Sequence, residues 1–410
     1  MRAAPPGRMM TDMTSIDHID PRRVVIVGGG IAALEAVLAL HDLADAQLRV
    51  TVIAPEPAFT LRPLDVARPF ARGHAGQLDL EGFMADHGGR FRRTAALSFD
   101  TERHAVRCAT GPDEPYDVLI VAVGAPARPA FEHVLTFGAD PLAFGGLLAD
   151  LEQGCSRSVA FVVPKGCSWP LPLYELALMT AEEVWGMGID DVQMHFVTPE
   201  LAPLDIFGSE VSASVAELLQ AARITLHLGA SADVGRNGHI DTGFGEGLDV
   251  ERIVALPALD GPRLDGLPCD AHGFVPVDAH GRVVGVDDVY AAGNATDHLV
   301  KQGGLACQQA DVVAAHIAAA AGANVDVTPY APVLRGRLLT GHHDRFLRHD
   351  GRARASEVAA EPLWWPPTKV SSRYLAPYLD AHELVDLPSR AGSRDAGIDV
   401  RLDVETAVPS

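Results

Sequence analysis

The stretch RRVVIVGGGIAALEAVLALHDL (22–43) divides into a short apolar run, three glycines and a longer Ala/Leu-rich run. Consecutive Val and Ile residues between an arginine pair and a glycine predict a strand buried on both faces. The run after the glycines predicts a helix. Between them, Gly28-x-Gly30-x-x-Ala33 occupies the strand-to-helix turn that a dinucleotide fingerprint requires. The first glycine permits the tight turn, and the second lets backbone approach a pyrophosphate. The small third residue allows close packing of helix on strand. The helix start then offers unpaired N–H groups and a positive dipole end. LRVTVIAPE (48–56) predicts the next strand, at whose end a ribose-binding acid belongs. Direct register puts Ala54 there, and Glu56 is the nearest carboxylate; the competing reading of Glu56 is a solvated loop residue.

Two further segments repeat the theme in order. YDVLIVAVGA (116–125) carries Asp117 and Gly124, and VDDVYAAGNATDH (286–298) carries Gly293 and Asn294. KQGGLACQQA (301–310) follows, opening a helical pattern that runs to 322. With these three motifs in sequence, the chain resembles the FAD-dependent pyridine nucleotide–disulfide oxidoreductase superfamily over roughly 22–330. The resemblance implies an α/β protein with two Rossmann-like FAD/NAD(P)-binding domains, the FAD domain discontinuous, plus a small C-terminal region. Its divisions are a flexible tail at 1–21, FAD-binding parts at 22–150 and 271–325, a second Rossmann-like domain at 151–270, and a C-terminal region at 326–410. It implies FAD as cofactor, with the ribityl chain near Gly293 and Asn294. The family's usual Asp is Asn294 here, an amide that hydrogen-bonds without charge. Gly303 and Gly304 would start a helix aimed at the flavin N1/O2 edge, where a positive dipole end stabilises reduced flavin. Lys301 either adds to that charge or is a surface lysine.

The second unit opens with SVAFVV (158–163), then PKGCSWPLPLYELAL (164–178) where a second glycine-rich turn would stand. Pro164, Pro170 and Pro172 lack N–H donors, and Trp169 fills space that a pyrophosphate needs. A standard nicotinamide site is not expected in this loop. GCSWPLPLYELALM resembles the matching region of sulfide:quinone oxidoreductases and of the flavin subunit of flavocytochrome c sulfide dehydrogenase. By that resemblance Cys167 falls near the redox cysteine that meets sulfide beside the flavin. No cysteine follows Cys307, so the second thiol used in that branch is missing. A packed, inert thiol is the alternative for Cys167 and for Cys307. Neither a CxxC nor a CxxxxC pair occurs, which excludes zinc ribbons and a disulfide relay, and the histidines show no metal-ligand spacing.

The chain has 410 residues, 33 basic against 54 acidic, for a net charge of −21. That balance excludes sequence-independent nucleic-acid binding. No secretory signal and no run of about 18 apolar residues is seen, which points to a cytoplasmic protein. LWWPPTKVSSRYLAPYL (363–379) admits three readings: peripheral membrane contact at the inner face with a quinone, packing over the flavin domain, or a homodimer contact. The expected function is electron transfer from a small reductant, sulfide or a related sulfur species, through flavin to a quinone-like acceptor. A type II NADH dehydrogenase-like enzyme and a low-turnover flavin redox sensor remain the alternatives.

Overall fold

In the computed structural model, residues 20–140, 142–243 and 247–386 are described; the N-terminal tail and the acidic C-terminal end lie outside them. β1 (Arg22–Val27) is buried from Val24 onward, as a strand between parallel neighbours must be. It leads into α1 (Ile31–Ala44), β2 (Leu48–Ala54), α2 (Leu80–Asp86), β3 (Arg90–Arg93) and β4 (Val118–Val121). Val24 pairs with Val118 on one side and Val50 on the other, giving the parallel order β4-β1-β2-β3.

The second sheet takes β5 (Leu135–Thr136), β6 (Ser158–Val162), β7 (Gln193–Val197), β8 (Ile224–His227) and β9 (Arg252–Ala255) in the parallel order β5-β9-β6-β7-β8. Its helices are α3 (Ala143–Glu152), α4 (Leu171–Gly186) and α5 (Ser209–Ala221). The sheet's edge strand β5 and the first turns of α3 lie before residue 151, and α3 runs across it. A two-residue strand carries too little periodicity to be read.

The chain then returns. β10 (Val289–Ala291) pairs with β4 and completes the first sheet at five strands. α6 (Gly303–Ala320) lies against α1 in one core that includes Ala32, Ala33 and Ala36 from α1 and Ala306, Ala310 and Ala314 from α6. Small residues on both helices let their backbones approach closely. The Arg/His-rich portion that followed without a pattern is a three-stranded antiparallel sheet, β11 (Val333–Leu338), β12 (Arg345–Asp350) and β13 (Ala355–Ala359). α7 (Leu375–Ala381) packs against α1, and the described chain ends in a two-residue strand, Val385–Asp386, paired with residues 74–75. Among the described residues no helix is long and apolar enough to cross a membrane.

Candidate functional site

Gly28 has φ +125°, and its N–H donates to the Ile53 carbonyl at 2.8 Å. A Cβ there would lie 2.2 Å from the Ala122 carbonyl oxygen, so the turn between β1 and α1 demands glycine. Gly30 is different: it is the N-cap of α1, no side chain caps the helix, and a Cβ on it would meet open space. The first amides of α1 therefore face an open cradle, the arrangement that binds phosphate. Ala33 is fully buried one turn along, on the face packed in the core. Glu56 is exposed two residues past β2, with Arg93 donating to the neighbouring Pro55 carbonyl at 3.4 Å. Gly124, past β4, has φ +74° and open space where a side chain would be.

Gly293 closes the same corner from the other side. Its N–H donates to Gln309 Oε1 at 2.6 Å, and a Cβ would lie 3.2 Å from that of Ala32 and 3.4 Å from that of Ala306. Asn294 sits beside it, half-buried, in a single 3-10 turn. The starts of α1 and α6 thus converge on one corner of the first sheet, at the carboxyl ends of its strands, where ligands bind in such folds. The residues fit a dinucleotide whose phosphates lie over Gly30.

At the start of α6, Gln302 is the N-cap and its side chain accepts from the Leu305 N–H at 2.8 Å. Lys301 does not project freely. Its Nζ donates to the Thr296 carbonyl and sits 3.7 Å from the centroid of the Phe274 ring. Burial lowers the amine to about 8, against the opposing pull of Asp297 and Asp270. The Lys301 N–H donates to Ser168 Oγ at 3.3 Å. That bond brings the 164–170 loop of the second sheet to the start of α6, and with it Cys167 and Lys301, the two catalytic candidates.

Within the loop, the Cys167 N–H donates to the Pro164 carbonyl at 3.1 Å across Gly166, which has φ +80°. Cys167 is partly buried, and burial pushes its thiol up to about 11, with the charge of Glu200 adding to the shift. Trp169 packs against Phe207, ring centroids 5.8 Å apart. Glu200 follows β7, where a ribose-binding acid would stand in the second domain. It is turned back instead, accepting from the Tyr174 hydroxyl at 2.6 Å and the Thr198 hydroxyl at 2.8 Å.

The C-terminal segment completes the enclosure. Val370 lies against Gly303 and the Ser371 carbonyl against Gly304. Lys369, within the 363–379 stretch for which membrane contact was one reading, is buried: its Nζ pairs with Glu175 of α4 and donates to the Arg337 carbonyl at 2.8 Å. Arg337 is 2% exposed and pairs with Asp344 at 2.7 Å. Burial pushes the Glu175 carboxyl up to about 7 even beside Lys369. A cavity of about 140 Å³ adjoins this network, lined in part by Leu61, Leu64, Arg337, Pro367, Thr368 and Lys369. Trp364 packs on Phe346, whereas Trp365 is 81% exposed. Sequence reading missed Glu175, Glu200 and Gln302. A lone carboxylate inside an apolar helix, as in LYELAL, was the available signal for the first of them.

Two parallel sheets joined by a chain that leaves the first, builds the second and returns form an architecture of two Rossmann-like domains, the first of them discontinuous. Three solved structures share it. The sulfide:quinone oxidoreductase of the hyperthermophilic bacterium Aquifex aeolicus is similar at 20% identity over 83% of this chain and 87% of that one, with a TM-score of 0.73. NDH2 from Plasmodium falciparum in complex with NADH is similar at 14% identity, over 80% and 90%, with a TM-score of 0.61. A ferredoxin reductase from Rhodopseudomonas palustris is similar at 18% identity, over 80% and 82%, with a TM-score of 0.60. No protein-family model and no curated sequence matches. At these identities the likeness establishes the fold, which is the one the three ordered motifs led to.

Proposed function

We propose that the protein is an FAD-dependent oxidoreductase that takes electrons from a small reductant, sulfide or a related sulfur species, and delivers them to a quinone-like acceptor. The observation that carries this reading is the Ser168–Lys301 contact, which seats a phosphate-incompetent, thiol-bearing loop against the start of α6. The α1 amides beside Gly28 and Gly30 would hold the pyrophosphate, with Ala33 keeping α1 close and Glu56 on the ribose. Gly124 leaves room beside them, and Gly293 and Asn294 would meet the ribityl chain. Gly303 and Gly304 would present the dipole of α6 to the flavin. Bound there, FAD supplies a two-electron carrier.

The inward turn of Glu200 onto Tyr174 and Thr198 supports a donor other than a nicotinamide, since the acid is not offered to a ribose. Lys301 supplies fixed positive charge, and Cys167 a thiol where the donor would arrive. The cavity beside Lys369 is the approach for the acceptor, next to the segment that covers Gly303. Exposed Trp365 beside Pro366 and Pro367 supports peripheral contact at a membrane surface for a lipid-soluble acceptor.

The test is anaerobic titration of the purified flavoprotein with sulfide, NADH and NADPH, then reoxidation with a soluble quinone. Bleaching by sulfide and recovery with quinone are expected. Rapid bleaching by NADH would overturn the reading of the loop, and a flavin inert to all three would favour a sensor. Sulfide bleaching that persists unchanged in Cys167→Ser removes that thiol from the mechanism.

A further inference from the structure

Of the 33 basic residues of the chain, 30 are arginine and three are lysine: Lys165, Lys301 and Lys369. All three gather at one place. Lys301 precedes α6, and its N–H donates to Ser168 Oγ at 3.3 Å. Lys369 pairs with Glu175 of α4, one residue before Val370, which lies against Gly303. Lys165 stands in the loop itself, three residues before Ser168. A chain that carries nearly all of its positive charge on arginine thus keeps its amines for the start of α6 and the loop that meets it. An ammonium is a compact point charge that suits a small anion, whereas a guanidinium fork grips planar oxyanions.

Two of the amines are already engaged. Lys301 Nζ donates to the Thr296 carbonyl over the Phe274 ring, and Lys369 Nζ is held by Glu175 and the Arg337 carbonyl. Lys165 differs: it is exposed, and among the described residues it makes no ion pair and no hydrogen bond. Its backbone is nevertheless held. The turn Pro164–Cys167 is closed by the Cys167 N–H on the Pro164 carbonyl at 3.1 Å, with Gly166 at φ +80° and Pro164 buried. Glu200, the carboxylate past the end of the neighbouring strand β7, is taken up by the Tyr174 and Thr198 hydroxyls. The whole chain carries −21, a field that repels small anions. An unpaired cation on the same turn as the thiol reverses that sign locally.

We propose that Lys165 is the entry cation of this loop, and that the electron donor arrives as a small anion, hydrosulfide or a sulfur anion of similar size, and not as a neutral molecule. The identity of the donor rests on the functional reading above; the local field does not.

Alkylation of the holoprotein reads the field without turnover. Iodoacetate is an anion and iodoacetamide its neutral counterpart. The ratio of their rates at Cys167, divided by the same ratio at exposed Cys155, should be about 2- to 3-fold higher in wild type than in Lys165→Met at about 10 mM salt. Lys165→Arg keeps the charge and should keep the wild-type value, and about 1 M salt should erase the difference. A quotient that Lys165→Met leaves unchanged overturns the entry cation. Anaerobic bleaching by sulfide then tests the donor, and should be about 2- to 3-fold slower in Lys165→Met at low salt. Equal, salt-independent bleaching in both proteins overturns the anionic donor. A quotient that responds as expected in a protein that sulfide does not bleach sinks the sulfur reading and leaves Lys165 as an anion's entry point.

Discussion

At the scale of single residues, side chains of similar type differ in state because their surroundings differ. Cys155 and Cys269 are exposed, Cys167 is partly buried with its thiol raised to about 11, and Cys307 and Cys108 are buried. Only the thiolate alkylates quickly. Iodoacetamide at neutral pH should therefore label Cys155 and Cys269 first, with Cys167 at least ~10-fold slower, as read by peptide mass spectrometry. Labelling of Cys167 as fast as Cys155 would refute its protonated, enclosed state. Lys301 titrates near 8, so its charge is present at neutral pH and fades above that value. Lys301→Met should lower the flavin potential by on the order of 30 mV, about 1.4 kcal/mol for a two-electron couple. The gap between variant and wild type should close as pH rises through about 8, and a pH-independent gap would count against an electrostatic role. Gly28 and Gly30 were legible in the sequence because a turn needing positive φ or open backbone admits few residues. Glu175 was not, because its partner Lys369 lies 194 residues away.

At the scale of elements, the β1–α1 turn separates folding from binding within three residues. Gly28→Ala puts a side chain into the Ala122 carbonyl at positive φ, and should destabilise the protein by roughly 2 kcal/mol or more. Gly30→Ala meets open space at φ −96°, so stability of the cofactor-free chain should change by less than about 0.5 kcal/mol. The same methyl group intrudes on the phosphate cradle, so retained FAD after purification should drop ~10-fold. Thermal melts and flavin absorbance read the two effects separately. Unaltered FAD retention in Gly30→Ala would move the cofactor away from α1. The edge strands β3 (RFRR) and β5 (two residues) carry no run of Val, Ile and Phe, whereas the central strands β1, β2, β4 and β6 were readable because buried parallel strands are rich in these residues. The C-terminal sheet was not, because β11 and β12 place arginines on both faces and one of them, Arg337, is buried by pairing with Asp344.

At the scale of the whole molecule, the second domain and the C-terminal segment are joined by the buried Glu175–Lys369 pair. Lys369→Met strands a buried carboxyl and should cost about 3–5 kcal/mol, whereas Glu175→Met with Lys369→Met should recover most of that loss. Denaturant midpoints of the single and double variants decide it, and additive losses would mean the pair is not coupled. The chain path carries a further consequence. β10, which completes the first sheet against β4, is made only after the entire second domain. During synthesis the buried VLIV strand β4 waits with one edge unpaired while the ribosome builds an independent sheet beside it. Such an edge is a template for association with other chains. The interval before β10 arrives is thus the period in which this protein is most exposed to aggregation and to chaperone capture. Slowing translation between 122 and 288 would lengthen it.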